Sequence, residues 1–375
     1  MKESFLTNFI APPEYAPQAR CSHKILTLLL LTAAALALVC EALYLPTGKA
    51  AGELELNAAL TMQKAAAELH ILRQELGIPL DPAVDPNASG LIGLDYSDLT
   101  TTQGSLAAKR TSCNPAFAGI LVRLLREAGV KEGDRVAVSL TGSFPAMNLA
   151  VLSACSAMKL KPYIISSVGA STFGANIPGF SWLDMEKRLY DRGVFPFLSM
   201  AVSLGGVVET GGGIDGTGLE IGAEAVKKHG SPFLEEGDWH DVERSTLARK
   251  ALFDRDGPPA CYVNVGGGLT ALGWVPESVR LDNGLLQDVP IVRDPARGLI
   301  FRYAEEGVPV IHLLNIERLA RRYALPVDPV PMPPPGEALH TRAYLKRYAV
   351  LVFILLAWTG AACYRLRQEG GGIEG

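Results

Sequence analysis

Arg135-Val-Ala-Val-Ser-Leu-Thr-Gly-Ser-Phe-Pro145, an apolar stretch running on to Lys159, and then Pro162-Tyr-Ile-Ile-Ser-Ser167 together decide the fold. Arg135 to Leu140 alternates and runs apolar like a strand, Thr141-Gly142-Ser143 turns, Pro145 to Lys159 is apolar nearly all round, and Pro162 to Ser167 is a second strand. That order is a βαβ unit, parallel and right-handed by the usual rule. Upstream, Asn114 caps a helix with Pro115 at its first position. Phe117, Leu121, Leu124 and Leu125 form the stripe of this helix, and Gly129 ends it. Downstream, strand candidates Ala260 to Val265 and Val308 to Leu313 each follow a helix candidate, Asp241 to Phe253 and Ile300 to Glu306. The expectation is an α/β domain with a mainly parallel sheet over residues 91–325.

Further out, two apolar runs bracket the domain. Ile25 to Leu45 carries no charge until Glu41 and reaches the roughly 20 residues that a membrane crossing needs. Tyr348 to Cys363 is shorter, about 16 residues or roughly 24 Å of helix, and draws on Ala343 to Arg347 to complete a span. Arg20, His23 and Lys24 before the first run place residues 1–24 in the cytoplasm by the positive-inside bias; a cleaved signal peptide is the alternative. The chain is therefore expected to flank its α/β domain with transmembrane helices at 25–45 and 343–364, ending in a tail at 365–375. It would sit in a membrane with the central domain outside the cytoplasm; in a bacterial cell that is the inner membrane. Residues 46–90 read as a juxtamembrane helix, Leu54 to Leu76, followed by a linker. Residues 326–342, with Pro326, Pro329, Pro331 and Pro333 to Pro335, read as an extended spacer.

A net charge of −4 with no basic block argues against nucleic acid as a partner. Of six cysteines, Cys113, Cys155 and Cys261 fall in the domain, with no CxxC pair or zinc spacing, so neither a disulfide framework nor a metal is expected. Gly211 to Gly216 and Gly266 to Ala271 satisfy loose dinucleotide fingerprints, but the first lacks a long preceding strand and the second a clean following helix. No cofactor is expected.

In open α/β sheets, ligands settle at the carboxyl ends of strands. Three small-residue turns qualify: Thr141-Gly142-Ser143, Ser166 to Ser171 with Ser167 and Gly169, and Gly266-Gly267-Gly268. Their hydroxyls and backbone suit a carboxylate or phosphate; the alternative is plain tight turns. Ser143, at a strand-to-helix turn, also stands where a hydrolase holds its nucleophile, with His312 or His240 as base and Asp215 or Asp184 as orienter. Asp184 and Glu186 form another carboxylate pair, equally readable as helix-start charge.

Thr100 to Thr111, Asn114-Pro-Ala-Phe-Ala118, Gly133 to Ala146, Gly169-Ala-Ser171, Trp182-Leu-Asp-Met-Glu186 and Asn264 to Gly268 together resemble the poly-γ-glutamate system proteins, encoded with the bacterial machinery that makes and exports that polymer. The resemblance covers most of the chain and departs at Val207-Val-Glu-Thr-Gly211, where a more polar loop is expected. It implies a membrane-anchored accessory protein that binds the nascent polymer, its synthase or the export subunits, with Lys109-Arg110 and Lys227-Lys228 as local cations. Two alternatives stay open: an exported serine hydrolase or transferase that trims or releases polymer through Ser143, and a non-catalytic membrane scaffold.

Overall fold

In the computed structural model the chain divides into two units, Gly48–Arg342 and a second made of Met1–Thr47 with Ala343–Gly375. The residues described are 49–206, 209–234 and 241–336, plus Leu355, Trp358 and Thr359 at helical positions.

The helices are α1 (Lys49–Glu75), α2 (Leu106–Ser112), α3 (Ala116–Glu127), α4 (Pro145–Ala157), α5 (Trp182–Asp191), α6 (Gly216–His229), α7 (Val242–Phe253), α8 (Leu269–Leu272), α9 (Leu299–Glu305) and α10 (Ile316–Arg322). Six strands form the main sheet: β2 (Arg135–Leu140), β3 (Lys161–Ser167), β7 (Ala201–Ser203), β10 (Cys261–Val265), β11 (Gly284–Leu285) and β12 (Val310–Leu313). The rest are short: β1 (Thr100–Thr102), β4 (Ala170–Ser171), β5 (Asn176–Ile177), β6 (Phe180–Ser181), β8 (Gly205–Gly206) and β9 (Thr210–Gly212).

The sheet runs in the order β11-β12-β10-β2-β3-β7. Five of these strands are parallel, and β11 pairs antiparallel with β12, so the sheet is mixed. From β2 the chain winds outward through β3 to β7, then returns to lay β10 against the other side of β2. That reversal is the topological switch point, where crossover connections leave opposite sides of the sheet and open a crevice at the strand ends. Alternate residues feed two cores, as the strand period demands. Val136, Val138, Leu140, Ile164 and Val263 pack into the larger core with α1, α3, α4 and α5. Ala137, Ile165, Tyr262 and Val310 pack into the second, with Phe253 of α7 and Leu299, Ile300 and Tyr303 of α9.

The βαβ unit lies where the sequence sets it, and α7, β10, α9 and β12 fall within two residues of their expected bounds. The cap of α3 is also as expected, Asn114 Oδ1 accepting from the Ala116 N–H at 3.0 Å. Helix α1 buries Ala58, Ala59, Met62, Ala65 and Leu69, one face at helical spacing, against the domain.

Two expectations are corrected. Among the described residues no helix is long and apolar enough to cross a membrane, so the α/β fold stands without the flanking transmembrane helices. The placement as a two-span inner-membrane protein with its domain outside the cytoplasm falls with them. The apolar runs 25–45 and 348–363 lie outside the described residues, except for Leu355, Trp358 and Thr359. The spacer also differs from its reading as far as it is described, to Gly336: Val327 and Met332 pack on the core, Asn87 Nδ2 donates to the Pro329 carbonyl at 2.7 Å, and Asp328 pairs with Arg110 at 3.2 Å. Prolines stiffen this segment without keeping it off the domain.

Candidate functional site

The turns after β2, β3, β10 and β12 open into one cleft of about 1060 Å³. It lies at the carboxyl ends of the parallel strands, astride the β2/β10 switch point. Of the residues singled out in the sequence, Thr141, Ser143, Ser167, Gly169, Ser171, Gly267 and Gly268 line it. Gly142 and Gly266 sit just behind. A Cβ on Gly142 would come 2.5 Å from the Val168 carbonyl oxygen, and one on Gly266 2.6 Å from Thr141 Oγ1, so these glycines let the turns close on one another. Thr141 Oγ1 is buried and has no hydrogen-bond partner among the described residues.

Ser143 and Ser171 meet across the cleft floor. Strand β4, which carries Ser171, pairs with β1, and the Ser171 N–H donates to Ser143 Oγ at 3.0 Å. Gly174 supports both serines from behind, since a Cβ there would lie 2.8–2.9 Å from the carbonyl oxygens of Gly142, Ser143 and Ser171. Ser143 leads into α4, whose N-cap Phe144 supplies no side-chain hydrogen bond, so the positive end of a 13-residue helix is left uncapped by a side chain beside the cleft.

Lys109 reaches this corner from α2, where the Ser105 cap fixes the first turn by accepting from the Ala108 N–H at 3.2 Å. Its side chain is 2% exposed. Nζ hydrogen-bonds Ser171 Oγ at 2.7 Å, donates to the Ser143 carbonyl, and lies 3.8 Å from the centre of the Phe144 ring. Among the described residues no carboxylate pairs with it, and burial pushes its ammonium down to about 7.

On the opposite wall Glu209, with a left-handed backbone at φ 67°, accepts from Ser203 Oγ at 2.8 Å and pairs with Arg249 at 3.3 Å. Glu317 accepts from Ser105 Oγ at 3.1 Å and pairs with Arg321 at 3.4 Å. Trp274, 63% exposed, stands on the rim.

The expected Ser143/His312/Asp215 arrangement is not brought together. His312 is buried on β12, where Asn264 Nδ2 lies 3.0 Å from its Nδ1 and burial pushes it down to about 4. Asp215 is the N-cap of α6, accepting from the Gly218 N–H at 2.8 Å. Asp184 closes the capping box of α5, and Glu186 is buried against His229 at 2.9 Å. Arg110 turns away from the cleft to Asp328 and to the carbonyls of Ala83 and Val84. Lys228 pairs with Glu224 on the exposed surface of α6. His240 lies outside the described residues.

The sequence reading missed Glu209, Arg249, Trp274 and Glu317, and it took Lys109 for a ligand-binding cation, whereas the side chain is buried against Ser171, Ser143 and Phe144 behind the cleft lining. Lys109 carries a signal, a cation directly after the apolar Leu106-Ala-Ala108; Glu209 and Arg249, forty residues apart, carry none. No family model, curated protein or solved structure matches the chain. The resemblance to the poly-γ-glutamate system proteins therefore rests on the quoted segments alone.

Proposed function

We propose that the cleft binds an extended, carboxylate-bearing chain, and that the protein is an accessory of poly-γ-glutamate biosynthesis that holds a stretch of the γ-linked polymer there. The observation that carries this reading is the convergence of three hydroxyl- and glycine-rich turns on one open cleft at the switch point. The Thr141 hydroxyl, unpartnered among the described residues, offers a donor for a carboxylate group, and the start of α4, uncapped by a side chain, sets the positive end of a helix beside the cleft. Both acidic residues of the lining are already paired with arginines, Glu209 with Arg249 and Glu317 with Arg321, which limits repulsion of an anionic chain. The polymer itself comes from the sequence resemblance, and the cleft supplies the chemistry that suits it.

Titration calorimetry of the full chain with γ-linked glutamate oligomers tests this. Binding is expected, weakened roughly 10- to 100-fold in Thr141→Val, as for loss of a hydrogen bond to a charged group. Equal affinity for a neutral polyglutamine peptide of the same length, or no binding to either, would sink the reading.

A further inference from the structure

We propose that Ser171 is an acyl-accepting nucleophile with Lys109 as its general base, so that the cleft carries out acyl transfer on an amide or ester carbonyl as well as holding a chain. This rests on the cleft being the ligand site proposed above. Three observations carry it. First, the geometry is that of a nucleophile and its base: Ser171 Oγ lies 2.7 Å from Lys109 Nζ, and Ser171 itself lines the cleft. Second, every partner of Lys109 among the described residues is neutral, namely a hydroxyl, a carbonyl and an aromatic ring. A carboxylate there would hold the ammonium charged. Without one, burial brings it down to about 7, and near neutral pH a large share of the amine has a free lone pair.

Third, the nucleophile is held rigidly. The Ala170 N–H donates to the Leu99 carbonyl at 3.2 Å and the Thr172 N–H to the Thr102 carbonyl at 2.9 Å, so strand pairing fixes the backbone on both sides of Ser171. The Ser171 N–H occupies the oxygen of Ser143. That leaves the Ser143 hydroxyl hydrogen to donate to an oxyanion in the cleft, so Ser143, which has no base at hydrogen-bond distance from its Oγ among the described residues, is assigned the stabilising role.

The chemistry balances with one co-reactant, water or an amine. Neutral Lys109 takes the proton from Ser171 Oγ as the oxygen bonds to the carbonyl carbon and the carbonyl π pair moves onto oxygen, toward Ser143. The tetrahedral species collapses, the carbon–nitrogen or carbon–oxygen bond breaks, and Lys109 returns its proton to the leaving amine or alcohol. Water, or a second amine, then attacks the ester on Ser171 and gives its proton to Lys109. Ser171 Oγ departs and recovers that proton. Transfer to an amine would exchange chain ends, and transfer to water would cut the chain.

A fluorophosphonate reagent applied to the full chain, with peptide mass mapping, tests the assignment. Ser171 Oγ would bond to phosphorus, fluoride would leave, and Lys109 would take the proton. Labelling is expected at Ser171 alone, with a rate that rises with pH through a midpoint of about 7. It should be lost in Ser171→Ala and slowed at least about 100-fold in Lys109→Met. Because the lysine variant risks its fold, Ser171→Ala, which deletes a single oxygen, is the decisive comparison. Undiminished labelling in Ser171→Ala, labelling at Ser143 instead, or no labelling of the folded chain at any pH would each overturn the proposal. The two readings fail separately. A chain that binds γ-glutamyl oligomers yet never labels overturns the nucleophile and leaves the binding site. A chain labelled at Ser171 that binds no oligomer overturns the polymer and leaves the nucleophile.

Discussion

Strand β3 ends on two serines that lead to opposite faces of the sheet, Ser166 into a closed polar cluster and Ser167 into the cleft. On the closed side, Ser166 Oγ accepts from Trp182 Nε1 at 3.1 Å and from Ser199 Oγ at 2.7 Å. Ser199 also meets both oxygens of Glu186 at 2.8 Å, and Glu186 holds His229 Nε2 at 2.9 Å. The acid has a base, the hydroxyls have the acid, and the cluster ties α5, α6 and β3 together. On the cleft side, Lys109 is buried as deeply but has no acid among the described residues, and its hydroxyl partner opens onto a cavity. Buried ionisable groups alone do not separate scaffold from chemistry. What separates them is whether the charge is answered inside the protein or left for a substrate to meet.

The sharpest way to break this contrast is to remove the acid from the closed cluster. Glu186→Ala strands His229, Ser199 and Ser166 around a buried void, and breaking a buried pair by deleting one partner costs about 3–5 kcal/mol. Urea unfolding should register that loss, while the folded fraction keeps the reagent rate of the parent chain at Ser171. A variant as stable as the parent would mean that the cluster contributes nothing to the fold.

Deleting the unanswered charge acts on stability through its pH dependence. Burial lowers Lys109 to about 7 in the folded chain, against about 10.4 when unfolded. Between those values the unfolded chain binds a proton that the folded chain does not. Lys109 therefore makes stability rise with pH across that window, by up to about 1.4 kcal/mol per pH unit. Below pH 7 both states hold the proton and the contribution to the slope vanishes. In Lys109→Met this component should disappear, leaving stability flatter from pH 7 to 10 than in the parent and higher at the acid end. Parallel urea titrations of the two chains give the difference directly, and identical slopes would show that the amine is not held uncharged by burial.

The same contrast explains what could be read from the chain beforehand. Strand order was legible because Val136, Val138 and Leu140 repeat at the period of their element, and periodicity is a local property. The presence of α1 was legible too, but not its buried face: Leu56, Leu60, Ile71 and Leu76 are exposed and the smaller Ala58, Ala59 and Ala65 pack inward with Met62 and Leu69. The turns of the cleft were legible because small residues after strands have few other uses. Pairing was not legible. Ser171 meets Lys109 across 62 positions, and Glu209 meets Arg249 across 40, through a sheet order that sequence alone leaves open. His312 looked available because a strand end is where a base belongs. Its register opposite Asn264 turns it into the second core instead. The membrane expectation rested on hydropathy of segments outside the described residues, and nothing in the packed domain bears it out.

Lys109 and Arg110, adjacent in sequence and read together as cations for an anionic chain, provide the finest version of the comparison. A helix sends consecutive residues about 100° apart, so one enters the site as the other leaves it. Arg110 spends its donors on Asp328 and on the carbonyls of Ala83 and Val84, fastening the proline-rich segment and the loop after α1 to α2. Its side chain is 17% exposed and that of Asp328 30%, so solvent shares the interaction and Arg110→Ala should cost only about 1 kcal/mol. Because these contacts hold the segment to the domain, the loss should appear first as faster proteolysis between Leu325 and Gly336, before any change in global unfolding. Affinity for γ-glutamyl oligomers should not move. If Arg110→Ala weakens oligomer binding as much as Thr141→Val does, the anionic chain runs past α2 as well as through the cleft, and the two cations belong to one site after all.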